Sequence, residues 1–92
     1  MGFGVDSCAE FSQRFQVNIS IENTYFDWAQ GFMSGANTLA QAEKLNSHDL
    51  SALTVEDEKS RIRSYCAAHP LNNYYEAVID VLGGLPLVKP VP

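Results

Sequence analysis

Apolar residues recur at helical spacing near the start of the chain and then change to alternation. Residues 8–15 place their apolar side chains at intervals of three and four, which predicts a short helix. These side chains are Cys8, Phe11 and Phe15. In residues 17–22 apolar and polar residues alternate, a pattern typical of extended backbone. Because no partner strand is evident, we expect this segment to be an extended connector.

A longer helical pattern follows, which Asn23 or Thr24 can cap and which we expect to end near Leu45. Its main apolar stripe, which predicts the core-facing side, contains Tyr25, Trp28, Ala29, Phe32, Gly35, Ala36 and Leu39. A thinner second stripe contains Phe26, Met33 and Ala40. Gly31 and Gly35 each weaken a helix by about 1 kcal/mol relative to alanine. We therefore expect them to permit close approach of another helix.

Two further helices are predicted around Pro70, after a polar connection over residues 47–53. Thr54 can cap the first of them, which we expect to end near Ala68 because proline disfavours helical geometry at the preceding residue. The second is predicted over residues 71–82, followed by Gly83 and Gly84 as a stop signal. The pattern therefore predicts an all-α domain of four helices. We expect a flexible start over residues 1–6 and a proline-rich tail over residues 85–92.

Composition narrows the possible partners of this domain. The chain has 92 residues, of which 46% are hydrophobic, enough for one folded domain with its own core. Its net charge is −5, and its six basic residues are scattered, so we expect neither nucleic acid nor an anionic membrane surface as a partner. No apolar run reaches the length that spans a membrane. The eleven carboxylates form no evident acid–base pair, and we expect no enzymatic activity and no cofactor.

The two cysteines, Cys8 and Cys66, allow several interpretations. A pair 58 positions apart in a small acidic domain suits a disulfide of an exported protein, which would stabilise the fold by roughly 4 kcal/mol. Two buried thiols are an alternative. Cys66 and His69 could belong to a zinc site, although a fourth ligand at standard spacing is missing. They could also form a nucleophile and its base, although no third group that orients the base is evident.

Four apolar residues lie off the main stripes of the central helix and the last helix. They are Phe26, Met33, Tyr74 and Val81. They can pack beneath the connector or the tail, or they can form a surface for a partner or for self-association. We expect them to join a protein-binding surface.

Two cysteine-bearing segments, residues 7–11 and 62–70, resemble those of the HdeA/HdeB family of small periplasmic acid-stress chaperones. The Tyr-Cys-x-x-x-Pro run at residues 65–70, followed by a tyrosine-containing last helix, is closest to the HdeB branch. Residues 26–35 lie where that family has its long aromatic helix. The similarity extends over about residues 7–80.

This resemblance implies a four-helix fold in which Cys8 and Cys66 are joined, and a periplasmic protein whose signal peptide has been removed. It also implies a homodimer near neutral pH that opens in acid and holds other proteins against aggregation. Protonating all eleven carboxylates and both histidines would change the formal charge from −5 to +8, which permits such opening. The corner at His69 and Pro70 also resembles that of periplasmic immunity proteins, so an inhibitor of one specific secreted effector is the alternative.

Overall fold

A computed structural model describes residues 3–89 and contains four α-helices. They are α1 (Cys8–Val17), α2 (Ile21–Ala42), α3 (Val55–Ala68) and α4 (Tyr74–Gly83). A disulfide between Cys8 and Cys66 links α1 to α3, with their Cα atoms 4.6 Å apart. The predicted all-α fold and the disulfide are therefore confirmed. None of the helices within residues 3–89 combines the length and apolar character needed to cross a bilayer.

The corner between α3 and α4 also closes the start of α1. The N–H groups of Cys8 and Ala9 donate to the carbonyl oxygens of Asn72 (2.7 Å) and Pro70 (3.1 Å). The first N–H groups of a helix have no partner within it, so the carbonyl groups of this corner satisfy donors that would otherwise lack a hydrogen bond. The predicted last helix consequently begins three residues later than expected, at Tyr74, because residues 70–73 form the turn that makes these contacts.

The expected extended connector over residues 17–22 is wrong. Val17 ends α1, and Asn18 forms a tight turn by accepting hydrogen bonds from the N–H (3.1 Å) and hydroxyl (2.7 Å) of Ser20. Ile21 then begins α2. Val17 and Ile19 are 90% and 73% exposed, so their alternation with polar residues does not reflect a sheet.

Helix α2 ends at Ala42, three residues before the predicted end, because Lys44 adopts a left-handed conformation with φ 57°. The N–H of Lys44 donates to the carbonyl of Gln41, and that of Leu45 donates to the carbonyl of Ala40. This pair of bonds is the Schellman arrangement that closes many helices, usually with glycine at the left-handed position. The sequence offers lysine there, so the stop could not be found from residue type.

A small antiparallel sheet fastens the tail to the middle of the chain. It consists of β1 (Ser47–His48) and β2 (Leu87–Val88). Asn37 holds β1 against α2 by bonding both the N–H (3.0 Å) and the carbonyl (2.6 Å) of His48. Leu85 is buried, so the described part of the expected proline-rich tail is docked, and residues 90–92 of that tail lie outside the described residues.

The start of the chain is also packed, although we expected residues 1–6 to be flexible. Residues Phe3–Val5 form a 3-10 turn whose Gly4 is buried against Trp28. Tyr74 donates its N–H to the carbonyl of Asp6 at 2.8 Å, which fixes this turn to α4. Residues 1–2 lie outside the described residues.

The core lies where all four helices meet. At its centre the rings of Phe11, Tyr25 and Tyr74 are mutually 5.0 Å apart at steep angles, the arrangement that aromatic pairs favour. The buried apolar side chains are Cys8, Phe11, Tyr25, Phe26, Ala29, Met33, Ile62, Cys66, Tyr74, Ala77, Val78, Val81 and Leu85. The disulfide therefore lies inside the core that it joins.

Candidate functional site

The four residues expected to form a partner surface belong to this core. Phe26, Met33, Tyr74 and Val81 are each at most 4% exposed. In the folded chain they therefore form no surface. The buried side of α2 is rotated toward its thinner predicted stripe, so that Phe26 and Met33 face inward, and Tyr74 and Val81 are buried on α4. They can contact another protein only if the helices separate.

The same rotation moves the end of the main predicted stripe to the outside. Trp28 and Phe32, which were predicted to be core residues, are half-buried at the edge of the core. Leu39 is 64% exposed. A Cβ atom added to Gly31 or Gly35 would meet nothing within 4 Å. The expected close helix contact at these glycines is therefore wrong.

Exposed and half-buried apolar residues of α2 and α4 form one surface, which we call the α2–α4 face. The ring of Phe32 meets the ring of Tyr75 edge-on, with their centroids 5.3 Å apart. Leu39 lies two turns after Phe32 on α2, and Ile79 lies one turn after Tyr75 on α4. Tyr75 and Ile79 are each 41% exposed. These four residues define the face, and sequence spacing alone assigned Phe32 to the core.

Several polar side chains connect the helices, and two groups of them involve buried or partly buried residues. In the first, Tyr25 donates its hydroxyl to Asp6 (2.7 Å), and Arg14 donates to both Asp6 (3.0 Å) and Tyr25 (2.8 Å). Burial, followed by the bond to the Asp6 carboxylate, raises the pKa of Tyr25 to about 12. This phenol therefore stays protonated at physiological pH and acts as a structural donor.

The second group is an ion pair between α2 and α3. Arg63 Nε lies 2.6 Å from Glu22 Oε2, and its Nη2 lies 3.5 Å from Oε1. Glu22 is only 7% exposed, so its carboxylate depends on this partner. The guanidinium of Arg63 also lies over the ring of Phe15, 5.3 Å from its centroid, which connects the pair to α1.

Glu58 is the second buried acid among residues 3–89, and its buried oxygen, unlike the carboxylate of Glu22, has no partner. It is 5% exposed, its Oε2 has no hydrogen-bond partner among residues 3–89, and burial raises the pKa of its carboxyl. The position could have been found in the sequence, because Glu58 lies four residues before Ile62 and eight before Cys66, on the buried stripe of α3. An acid on an apolar stripe is the signal that we overlooked.

The disulfide decides between the interpretations of the cysteines. Because the Cys66 sulfur is bonded to Cys8, it is neither a thiolate nucleophile nor a zinc ligand. The His69 ring packs on that of Tyr65, with centroids 4.5 Å apart. Residues 3–89 contain no group of three His, Cys, Asp or Glu side chains placed to hold a metal ion.

Comparisons with protein-family models, with curated proteins and with solved structures found no match for this chain. The resemblance to the HdeA/HdeB family therefore remains a hypothesis.

Proposed function

We propose that this chain is a non-enzymatic, periplasmic domain that binds other proteins through the α2–α4 face. The observation that carries the proposal is a group of apolar side chains in which Leu39, Tyr75 and Ile79 are exposed and the half-buried Phe32 contacts Tyr75. Contiguous exposed apolar surface on a small domain commonly marks a site for another protein. Gly35 lies between Phe32 and Leu39 with open space beside it, so a partner can approach the α2 backbone there.

The disulfide supports the proposed location. Disulfides persist in oxidising compartments such as the bacterial periplasm and are rare in the cytosol, where thiols are kept reduced. Here the bond joins two core residues, Cys8 and Cys66, of a domain too small to bury a large fraction of its surface.

The exposure of the face in the folded chain favours binding in that state. No opening of the helices is needed to present Tyr75 and Ile79. This arrangement fits binding of aggregation-prone proteins at neutral pH. The alternative, a single tight partner such as a secreted effector that this domain inhibits, would leave the aggregation of unrelated proteins unchanged. A second copy of the chain is another possible occupant, and sedimentation at several protein concentrations distinguishes it.

A second mode, the acid-activated chaperone suggested by the family resemblance, is favoured by the ion pair of Glu22 and Arg63. Loss of this ion pair in acid would weaken the contact between α2 and α3, while the disulfide keeps α1 attached to α3. The four core residues that we expected to bind clients would then become accessible. They are Phe26, Met33, Tyr74 and Val81.

Glu58 acts against this opening. Because burial raises its pKa, its charged form costs stability above that pKa, and the cost disappears as the pH falls through it. Acid opening therefore requires the loss of ion pairs and the net positive charge to outweigh the stability gained at Glu58.

Light scattering of several unrelated, aggregation-prone client proteins tests the proposal. We expect this protein to suppress their aggregation at pH 7, and suppression only at pH 2–3 would favour the acid-activated mode. The variant Tyr75→Ser/Ile79→Ser removes apolar side chains from the face and should reduce suppression at pH 7. Two apolar residues away from the face provide the matched control, Val17→Ser/Ile19→Ser, which should behave as the parent does.

Circular dichroism must first show that both double variants fold. Substitutions at Phe26 and Met33 would not test the face, because removing two buried side chains would typically cost several kcal/mol and unfold a small domain. Equal aggregation with and without the protein, for all clients at both pH values, would contradict general protein binding. Loss of suppression in both double variants would contradict the choice of face.

A further inference from the structure

A cavity of about 340 Å³ lies on the flank of α2 opposite the α2–α4 face. It is lined by Gln30, Met33 and Ser34 of α2, by Leu50 of the segment between β1 and α3, and by Glu58 of α3. It is open to solvent on one side and has both polar and apolar walls. Its volume is at the lower end of the range for small-molecule sites, so it suits a small group.

The buried carboxyl of Glu58 gives this cavity its chemistry. Its Oε2 has no hydrogen-bond partner among the described residues, although the side chain is more than nine-tenths buried. The adjacent base, Lys59, is directed elsewhere, since its ammonium donates to Asn23 (2.8 Å) and lies 3.9 Å from Glu56. A buried carboxylate without a counter-charge or donor is costly, and a ligand that supplies both would remove that cost.

The walls of the cavity restrict the ligand further. A metal ion would need several oxygen ligands, and residues 3–89 hold no group of three acidic, His or Cys side chains around one point. An ammonium group has three donors, and three residues that line the cavity carry oxygen acceptors: the carboxylate of Glu58, the amide of Gln30 and the hydroxyl of Ser34. Met33 and Leu50 offer apolar contact to a short hydrocarbon stem.

We propose that the cavity between α2 and α3 binds an alkylammonium group, with Glu58 as its anionic partner. The group can be a small free amine or the lysine side chain of another protein, because both present the same ammonium on a hydrocarbon stem. The net charge of −5 attracts either one. This site is separate from the α2–α4 face, so its occupancy does not depend on the proposed function.

A titration followed by amide NMR at pH 7 tests the site. We expect n-butylammonium chloride to shift the amide signals of Gln30, Ser34 and Glu58 in a saturable way, and to raise the melting temperature. The neutral analogue n-butanol, which has a similar stem, should cause much smaller shifts. Equal effects of the two compounds, or no saturable shift with the ammonium, would overturn the proposal.

Two variants assign the effect to the carboxyl. Glu58→Gln keeps the shape of the side chain and should weaken binding about tenfold or more, since it replaces a charged acceptor by a neutral amide. Glu56→Gln removes the same charge from an exposed position on α3 and should leave the affinity within about twofold of the parent, as screened surface charges act weakly. Equal weakening in both variants would mean that only the net charge matters, and would overturn the assignment.

Titration with two capped tripeptides, Gly-Lys-Gly and Gly-norleucine-Gly, distinguishes a lysine side chain from a small free amine as the ligand. Saturable binding of the lysine peptide alone, lost in Glu58→Gln, identifies a protein side chain as an occupant. Binding of n-butylammonium without binding of either peptide identifies a small free amine. Both results support the site, whereas equal binding of the two peptides contradicts a role for the charge.

Discussion

Replacing the glycines of α2 by alanine should stabilise this protein. Gly31 and Gly35 lie inside a 22-residue helix, and an added Cβ at either position meets nothing within 4 Å. Glycine in a helix interior is about 1 kcal/mol less favourable than alanine, because it loses more backbone entropy on folding. We therefore expect each substitution to raise the free energy of unfolding by about 1 kcal/mol, and the two together by about 2 kcal/mol.

The same substitution at Gly4 should destabilise the protein. A Cβ there would overlap the six-membered ring of Trp28, a bulky side chain that packs against the core. Accommodating it requires the 3-10 turn or the indole to move, and overpacking of this kind typically costs about 1–3 kcal/mol. The same substitution thus tests three positions, and the sign of the change in stability depends on what lies beside each Cα.

Thermal and urea unfolding of the oxidised protein measure these differences. For a domain of this size, 1 kcal/mol corresponds to a shift of about 4–8 °C in melting temperature. The urea midpoint should move with little change in slope, because the surface exposed on unfolding is unchanged. Melting at several protein concentrations separates the stability of the chain from that of any complex between copies.

A concentration-independent loss of stability in Gly35→Ala would refute this reasoning. It would mean that another part of the same chain packs against the α2 backbone, as the sequence alone suggested. If instead the loss appears only at high protein concentration, Gly35 contacts a second copy through the α2–α4 face. A Gly4→Ala variant as stable as the parent would contradict the packing of the first turn against Trp28.

Two further predictions concern the buried acids. Glu58→Gln should raise the melting temperature at pH 7, and the difference from the parent should shrink as the pH falls through the raised pKa of Glu58. A difference in melting temperature that widens in acid would contradict the burial of this carboxyl. Arg63→Ala should lower the free energy of unfolding by about 1–3 kcal/mol in urea titrations, because it leaves the Glu22 carboxylate buried without its partner. The exposed Arg61→Ala is the control, expected to stay within about 0.5 kcal/mol of the parent, and equal effects of the two substitutions would refute the role of the ion pair.

The sequence by itself determined the helical class and most of the helix positions. Helices α1 and α3 begin at the predicted residues, because local signals set these boundaries. Thr54 accepts a hydrogen bond from the N–H of Asp57 at 3.1 Å, as its position before the helix predicted. Pro70 stops α3 through sterics that act on the neighbouring residue, so they do not depend on the rest of the fold.

The tertiary structure decided which side of α2 is buried. Two apolar stripes compete along this helix, and their periodicity is the same, so spacing cannot choose between them. The aromatic cluster of Phe11 and Tyr74 takes in Tyr25 of the main stripe, and the rotation of the helix also buries Phe26 and Met33 while leaving Leu39 exposed. The candidate binding face follows from that rotation.

Contacts between distant segments explain the remaining differences. The sheet joins distant residues, Ser47 with Val88 (41 positions apart) and His48 with Leu87 (39 positions apart), and neither two-residue strand has a pattern of its own. The delayed start of α4 likewise follows from the turn at residues 70–73, whose carbonyl groups accept the first N–H groups of α1. Such contacts depend on where the disulfide and the core place each segment, which local residue patterns do not encode.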